Sequence, residues 1–203
     1  MFAENTKALK ALGQASRNAR LAKIVLLSSI GAEKPHGTGP IMRLHAMERE
    51  FADLPSVTSV RAAWFMENFV GLVTWVRETG VLPSMLAPLD RAIPMVATQD
   101  IGNLVAETLR SRWEGQRVIN LEGPRRYSPH DVAEVFARVL ARNVKAEILP
   151  ETAWLSTYRS WGMTPRSGEA MVELLRGVNS GWISFDAASQ PVRGTTLLDA
   201  VLS

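Results

Sequence analysis

Cysteine is absent from this 203-residue chain, and that absence excludes disulfides, cysteine nucleophiles and thiolate metal sites. Histidine is scarce: His36, His45 and His130 lie far apart and match no metal-ligand spacing such as H-E-x-x-H. We therefore expect no metal site in this protein.

Long apolar runs and a strong net charge are also missing. The longest apolar stretch, Trp64–Val76, is interrupted by Glu67 and Asn68 and is too short to cross a bilayer. The first ten residues contain no apolar signal core. The 23 basic and 20 acidic residues give a net charge of +3, with the basic residues scattered. These features predict a cytoplasmic location, no membrane contact and no nucleic-acid partner.

Apolar runs alternate with helix-forming segments along the chain. A nearly continuous apolar run over residues 23–28 is typical of a parallel strand that is covered on both faces. Further strands are predicted at Val57–Ala62, Ile93–Val96, Arg117–Leu121 and Lys145–Leu149. Helices are predicted over residues 5–20, 40–53, 65–79, 98–112, 128–142, 151–161 and 166–177. This alternation favours an α/β fold with a mostly parallel sheet built from βαβ units.

Turn chemistry predicts several boundaries between these elements. Pro83 and Pro88, with little periodicity around them, indicate a surface loop over residues 82–92. Helix caps are predicted at Gly80 as a C-cap, at Thr98 or Asp100 as an N-cap, and at Ser128 with Asp131 as a capping box.

Candidate site residues follow the first two strands. Ser28 and Ser29 lie at the carboxyl end of a strand, the edge where open α/β sheets bind ligands. Their hydroxyls either face a ligand or satisfy backbone groups in the turn. Trp64 either forms the wall of a pocket for a planar ligand or belongs to the core. Asn68 either orients a ligand or holds its loop in place.

Other residues give weaker indications of chemistry. The imidazole of His45 suits proton transfer at neutral pH, although a lone histidine is more often structural. The glycines of residues 31–39 do not match G-x-G-x-x-G and are interpreted as loop residues. Neither Tyr127 nor Tyr158 is followed by lysine four residues on, so the Tyr-x-x-x-Lys pair of many α/β reductases is absent.

Five blocks in order resemble the NmrA-like family, a branch of atypical short-chain dehydrogenases with a Rossmann domain. The blocks are K-I-V-L-L-S-S-I-G-A, HAMEREFADL, V-R-A-A-W-F-M-E-N-F, I-P-M-V-A-T-Q-D-I-G and L-E-G-P-R-R-Y-S-P-H-D-V. The resemblance implies the carboxyl-terminal part of a Rossmann-like NAD(P)-binding domain over residues 1–124. It also implies a small α/β lobe on the substrate side, over residues 125–203, packed with part of 65–92.

The same resemblance implies site residues. Those expected near the nicotinamide of NAD(P) are Ser28, Ser29, Ala62, Ala63, Trp64 and Phe65. Met66 and Asn68 are expected on the side of a small-molecule substrate. Candidates for catalysis are His45, near the place where some relatives have a proton-handling side chain, and Ser29.

The chain departs from the family at its beginning. Full members start with a strand, a glycine-rich phosphate loop and several βα units, whereas about 22 residues precede the Ser28–Ser29 strand here. Without neighbours, that strand is expected to be an exposed apolar edge. We therefore expect either a truncated chain or an edge paired with another copy or with a partner chain.

Three functions remain open on this basis. The chain is either an NAD(P)H-dependent oxidoreductase acting on a small molecule, or a non-catalytic redox-sensing or regulatory protein-binding module that has lost its dinucleotide site. The third interpretation is an inactive remnant.

Overall fold

The computed structural model describes residues 2–186 and 188–203. The helices in chain order are α1 (Phe2–Asn18), α2 (Met42–Glu50), α3 (Val73–Thr79), α4 (Thr98–Arg110), α5 (Pro129–Leu140), α6 (Glu151–Ser160), α7 (Pro165–Ser180) and α8 (Leu198–Leu202). The strands are β1 (Ile24–Ser29), β2 (Ser56–Ala62), β3 (Trp64–Phe65), β4 (Val81–Ser84), β5 (Ile93–Val96), β6 (Gly115–Glu122), β7 (Arg126–Tyr127), β8 (Lys145–Ile148) and β9 (Val192–Arg193). Short 3-10 helices cover Gly39–Ile41 and Met66–Leu72. The predicted α/β class is confirmed.

The main sheet has four parallel strands in the order β1-β2-β6-β9. Ile24 lies beside Val57 and Ser29 lies beside Ala62, so β1 and β2 end at the same level. β1 is mostly apolar, and every residue of β2 except Arg61 is buried, which fits this position because parallel strands are normally covered on both faces. The predicted parallel sheet is confirmed.

Helices cover the two faces of this sheet, and side chains alternate between them. On one face Leu26 and Val57 pack against Phe51, which ends α2, with α1 alongside. On the other face Val60 packs against Ile101 of α4. The main sheet therefore lies between a layer formed by α1 and α2 and a layer formed by α4.

The outer edge of β1 has no strand partner among the described residues. The exposed fraction of Leu27 in β1 is 47%, whereas that of Val60 beside it in β2 is 0%. The helical layer on the α4 face therefore covers Val25 of β1 but leaves Leu27 exposed. The structure contains the exposed strand edge that the sequence indicates, and the partner of that edge stays a prediction.

The rest of the chain surrounds the largest hydrophobic cluster. Two short sheets, β3-β5-β7 and β4-β8, lie in this part together with α3 and α5–α8. Met66, Met95, Phe136 and Leu198 are fully buried in the cluster. The predicted boundary near residue 124 stays a prediction. Within residues 2–186 and 188–203, every helix is too short or too polar to cross a bilayer.

Two predictions over residues 65–92 were wrong. Residues 82–92 are not simply a surface loop, because β4 pairs with β8 there and Leu82 and Leu86 are buried. Pro83 is tolerated because β4 lies in a two-stranded sheet where each strand has an open edge. The single helix predicted over residues 65–79 is a 3-10 helix followed by α3.

The predicted N-cap of α4 was also wrong. The N-cap residue is Ala97, and neither Thr98 nor Asp100 caps the helix with its side chain. Asp100 is buried instead and accepts hydrogen bonds from Thr196 N at 3.0 Å and Thr196 Oγ1 at 2.9 Å. Thr196 lies 96 residues from Asp100 in the sequence, so no local pattern predicts this contact.

Two other predicted caps are confirmed. Ser128 and Asp131 form a reciprocal capping box at the start of α5. Gly80 follows α3 in the left-handed conformation, with φ of +71°, which glycine adopts without a steric penalty.

Candidate functional site

The candidate site is the edge where β1, β2 and β6 end together. Backbone hydrogen bonds continue past the strands there: Ile30 N donates to Ala62 O, and Ala63 N donates to Leu121 O, both at 2.9 Å. Gly123 N likewise donates to Met95 O at 2.6 Å. This is the edge at which open parallel sheets bind ligands.

The two serines at this edge have partners within the protein. Ser28 is buried, and its hydroxyl donates to Glu48 Oε1 at 2.5 Å. The hydroxyl of Ser29 donates to Ile30 O at 3.0 Å. The lone pairs of Ser29, which is only partly buried, remain available to accept a hydrogen bond.

The segment after β2 lines the same edge. Ala62 and Ala63 are 1% and 3% exposed and are buried beside Val60 and Ile101. Trp64 and Phe65 are partly buried. Met66 is fully buried in the main cluster and has no surface to offer a substrate in this conformation, whereas Asn68 is exposed. The roles assigned to these residues stay predictions.

Glu67 has a role at this edge that the sequence patterns did not indicate. Its Oε1 accepts hydrogen bonds from Thr98 N at 2.7 Å and Thr98 Oγ1 at 2.6 Å, at the start of α4. Its Oε2, like Nε1 of Trp64, is buried without a partner in the described part of the chain. Buried polar atoms rarely lack a hydrogen-bond partner, so these two atoms beside the candidate site have unused hydrogen-bonding capacity.

A charged cluster connects α2 to the ends of β1 and β2. Glu48 accepts from Arg61 Nε at 3.0 Å and Arg61 Nη2 at 2.6 Å, in addition to Ser28. Arg61 also pairs with Glu33 at 3.2 Å. Hydrogen bonding to Glu48 raises the pKa of Arg61. Sequence reasoning missed this cluster, although an arginine inside an otherwise apolar strand is a residue that needs a buried partner.

His45 is joined to the candidate edge through the turn after β1. Its Nδ1 lies 2.8 Å from Ala32 O, and Ala32 N donates to Ser29 O at 3.0 Å. A carbonyl oxygen only accepts, so Nδ1 carries the proton and Nε2 is the basic nitrogen of the neutral ring. The catalytic roles of His45 and Ser29 stay predictions.

The glycine-containing loop of residues 30–39 packs against the later part of the chain. A Cβ on Gly39, whose φ is +56°, would lie 2.0 Å from Ala170 O of α7. Trp182 stacks on His36 with ring centroids 5.6 Å apart. These contacts agree with the interpretation of the loop glycines as packing and turn residues.

Comparison with known proteins identifies the family of this chain. The model of the NmrA-like family matches residues 47–201. The chain belongs to the NmrA-like family. Agroclavine dehydrogenase of Claviceps fusiformis is 30% identical over 145 residues, which are 70% of this chain and 48% of that protein. The chain therefore spans about half the length of this curated relative.

Solved structures of reductases share the fold of this NmrA-like chain. The NADPH-dependent quinone oxidoreductase of Escherichia coli has a TM-score of 0.79 at 20% identity, over 96% of this chain and 71% of that one. The triphenylmethane reductase of Citrobacter sp. has a TM-score of 0.76 at 16% identity, over 96% of this chain and 68% of that one. Both were also solved as complexes, the former with NADPH and the latter with NADP(H). The predicted Rossmann-like architecture is confirmed.

The described residues do not fit a whole NAD(P) molecule by themselves. The sequence has no G-x-G-x-x-G loop to hold a pyrophosphate. Of the six residues predicted near the nicotinamide, Ser28, Ala62 and Ala63 are buried. The partly buried aromatic residues at this edge are Trp64, which packs against the cluster of Met66, and Phe65, which packs against the cluster of Val60. They suit a planar ring at one end of the cofactor only.

Proposed function

We propose that this chain is the substrate-side part of an NmrA-like, NAD(P)H-dependent oxidoreductase that acts on a small molecule. The observation that carries the proposal is the shared carboxyl edge of β1 and β2, which the partly buried Trp64 and Phe65 follow directly. The names of the similar solved reductases, which act on quinones and triphenylmethane dyes, support a planar organic substrate.

The residues of the chain have separate tasks in this proposal. Trp64 and Phe65, which follow β2 at this edge, each offer an aromatic surface to a planar ring. Ser29 offers lone pairs at the edge, and His45 offers Nε2 as a proton acceptor on the helix next to it. Asn68, which is exposed, is the proposed substrate-side residue, and a contact with the buried Met66 would require a change of conformation.

The phosphates of the cofactor would require a further polypeptide segment beside β1. The free edge of β1 and the exposed Leu27 are the surface against which such a segment would pair. We propose that another copy or a partner chain covers this edge. Only a partner with its own glycine-rich loop would complete a dinucleotide site.

A comparison of two ligands tests the proposal. We expect reduced nicotinamide mononucleotide and NADPH to bind the chain with similar, weak affinity, because this chain contacts the nicotinamide end alone. The measurement is a titration that follows nicotinamide fluorescence. The Phe65→Ala variant should weaken binding of both ligands about fivefold, since it removes one of the two aromatic side chains at this edge. Saturable binding of neither ligand would contradict the proposal.

The free edge of β1 also favours a second candidate function. A non-catalytic regulatory module would use the same exposed strand to bind a partner protein by strand addition. This alternative predicts a stable complex through β1 without binding of either nicotinamide ligand, so the same titration separates the two functions.

A further inference from the structure

A cavity of about 390 Å³ lies between α1 and α2, on the face of the main sheet opposite α4. Leu9 and Lys10 of α1 line one side of it. His45, Ala46, Arg49 and Glu50 of α2 line the other side. This lining shares His45 with the residues predicted to take part in catalysis, and it shares none with those predicted near the nicotinamide.

The two helices are held in place one turn beyond the cavity. Gly13 lies so close to α2 that a Cβ on it would be 2.5 Å from Glu50 Oε1. Arg17 donates to Glu50 Oε1 at 3.0 Å and to Asp53 Oδ1 at 2.8 Å. These contacts fix the distance between α1 and α2 at the cavity that Leu9 and Lys10 line.

The lining of this cavity carries positive charge without counter-ions. The carboxylates of Glu50 and Asp53 are both paired with Arg17. Lys10 and Arg49, by contrast, form no ion pair or hydrogen bond within the described part of the chain. Nδ1 of His45 is occupied by Ala32 O, which leaves Nε2 as its free ring nitrogen.

We propose that this cavity binds a small organic anion through a phosphate group. Lys10 and Arg49 would donate to the phosphate oxygens as charged donors. Leu9 and Ala46 supply apolar surface for a short organic substituent, so a phosphate monoester fits better than inorganic phosphate.

The proposed ligand would contact the helix that also positions the candidate site. α2 carries Glu48, which holds Ser28 and Arg61 at the ends of β1 and β2. An anion that holds α1 against α2 would therefore stabilise the same face of the sheet. Lys10, Ala46 and Arg49, on which this inference rests, have no part in nicotinamide binding, so the two proposals fail independently.

Calorimetric titration at constant ionic strength tests the site, with phenyl phosphate and inorganic phosphate as probes. We expect both to bind, and phenyl phosphate to bind more tightly because of its apolar ring. Arg49→Gln should weaken phenyl phosphate about tenfold, since it removes a charge-assisted hydrogen bond. Ala46→Leu should weaken it to a similar extent by filling the cavity with no change in charge.

Arg112→Gln is the matched control, because Arg112 is an exposed arginine outside the cavity lining. Its affinity for phenyl phosphate should equal that of the wild type. Equal affinity in all four proteins would show non-specific ionic association and overturn the proposal, as would the absence of binding to the wild type. Circular dichroism of each variant confirms that the helices remain folded.

Discussion

Glu48 and Arg61 face each other across the gap between α2 and β2, where their side chains are 14% and 17% exposed. Ser28 and Glu33 complete the cluster, so it ties two strands, one helix and the loop after β1 together. Removing one member of such a buried pair leaves the other charge without compensation, which costs more than the pair itself contributes.

Glu48→Gln should therefore lower the free energy of unfolding by about 2 kcal/mol, because the charge of Arg61 is left partly buried. Urea denaturation measures the change. The double variant Glu48→Gln with Arg61→Met should recover part of the loss, since it removes both charges. A double variant whose destabilisation equals the sum of the two single changes would show that the pair is not coupled.

The contacts of individual side chains were the features that the sequence predicted least completely. Ser28, Ser29 and Trp64 could be placed at strand ends, because apolar runs and their length fix where a strand stops. The partners Glu48 of Ser28 and Thr98 of Glu67 could not be predicted, since each contact joins residues 20 or more positions apart. The same holds for Lys10 and Arg49, which only the packing of α1 on α2 brings together.

At the scale of elements, the capping box of α5 was predicted correctly because all of its atoms lie within four residues. Ser128 Oγ accepts from Asp131 N at 3.1 Å, and Asp131 Oδ2 accepts from Ser128 N at 2.7 Å. Partial burial opposes the charge of Asp131, but hydrogen bonds from Ser128 and the nearby Arg125 leave its pKa below the usual value.

Ser128→Ala should reduce the free energy of unfolding by about 1 kcal/mol, since the first turn of α5 loses its side-chain acceptor. Because the pKa of Asp131 is lowered in the folded state, its contribution is present at neutral pH and is lost as pH falls through that pKa. Urea denaturation at pH 7 and at pH 3 measures both effects. Ser156→Ala, in the exposed interior of α6, is the control and should change stability little. Equal stability of the Ser128 variant and the wild type at pH 7 would contradict the assignment.

Long-range pairing between elements was the part that escaped prediction. β4 pairs with β8 across more than sixty residues, and Pro83 within β4 imitates a loop in the sequence. A strand of four residues in a two-stranded sheet has too short a pattern to distinguish it from a loop. β1, by contrast, was predictable from its apolar composition.

At the scale of the whole molecule, the two edges of the main sheet carry different kinds of residue. The outer edge of β6 carries Gln116, Arg117 and Asn120, polar residues of the kind that discourage pairing between molecules. The six residues of β1 include no charge and no proline, and Leu27 is exposed at that edge. This asymmetry supports the proposal that the edge of β1 pairs with another chain.

We therefore expect the isolated chain to self-associate with rising concentration, and we expect Leu27→Lys to reduce that association by placing a charge on the edge strand. Multi-angle light scattering over a concentration series measures the effect. Val118→Lys is the control, because Val118 is equally exposed, at 49%, but lies on β6 away from the free edge of β1. A wild-type chain that remains a monomer at high concentration would contradict this expectation, and so would an equal effect of both lysines.

The last helix has a consequence for how this protein is made. Leu198 and Leu202 of α8 are buried in the largest hydrophobic cluster, and the backbone N–H of Leu198 donates to the hydroxyl of Tyr127 at 3.1 Å. A ribosome releases residues in chain order, so the main core cannot close until residue 202 has left the exit tunnel. The earlier strands, including the apolar edge of β1, are therefore exposed before that closure occurs.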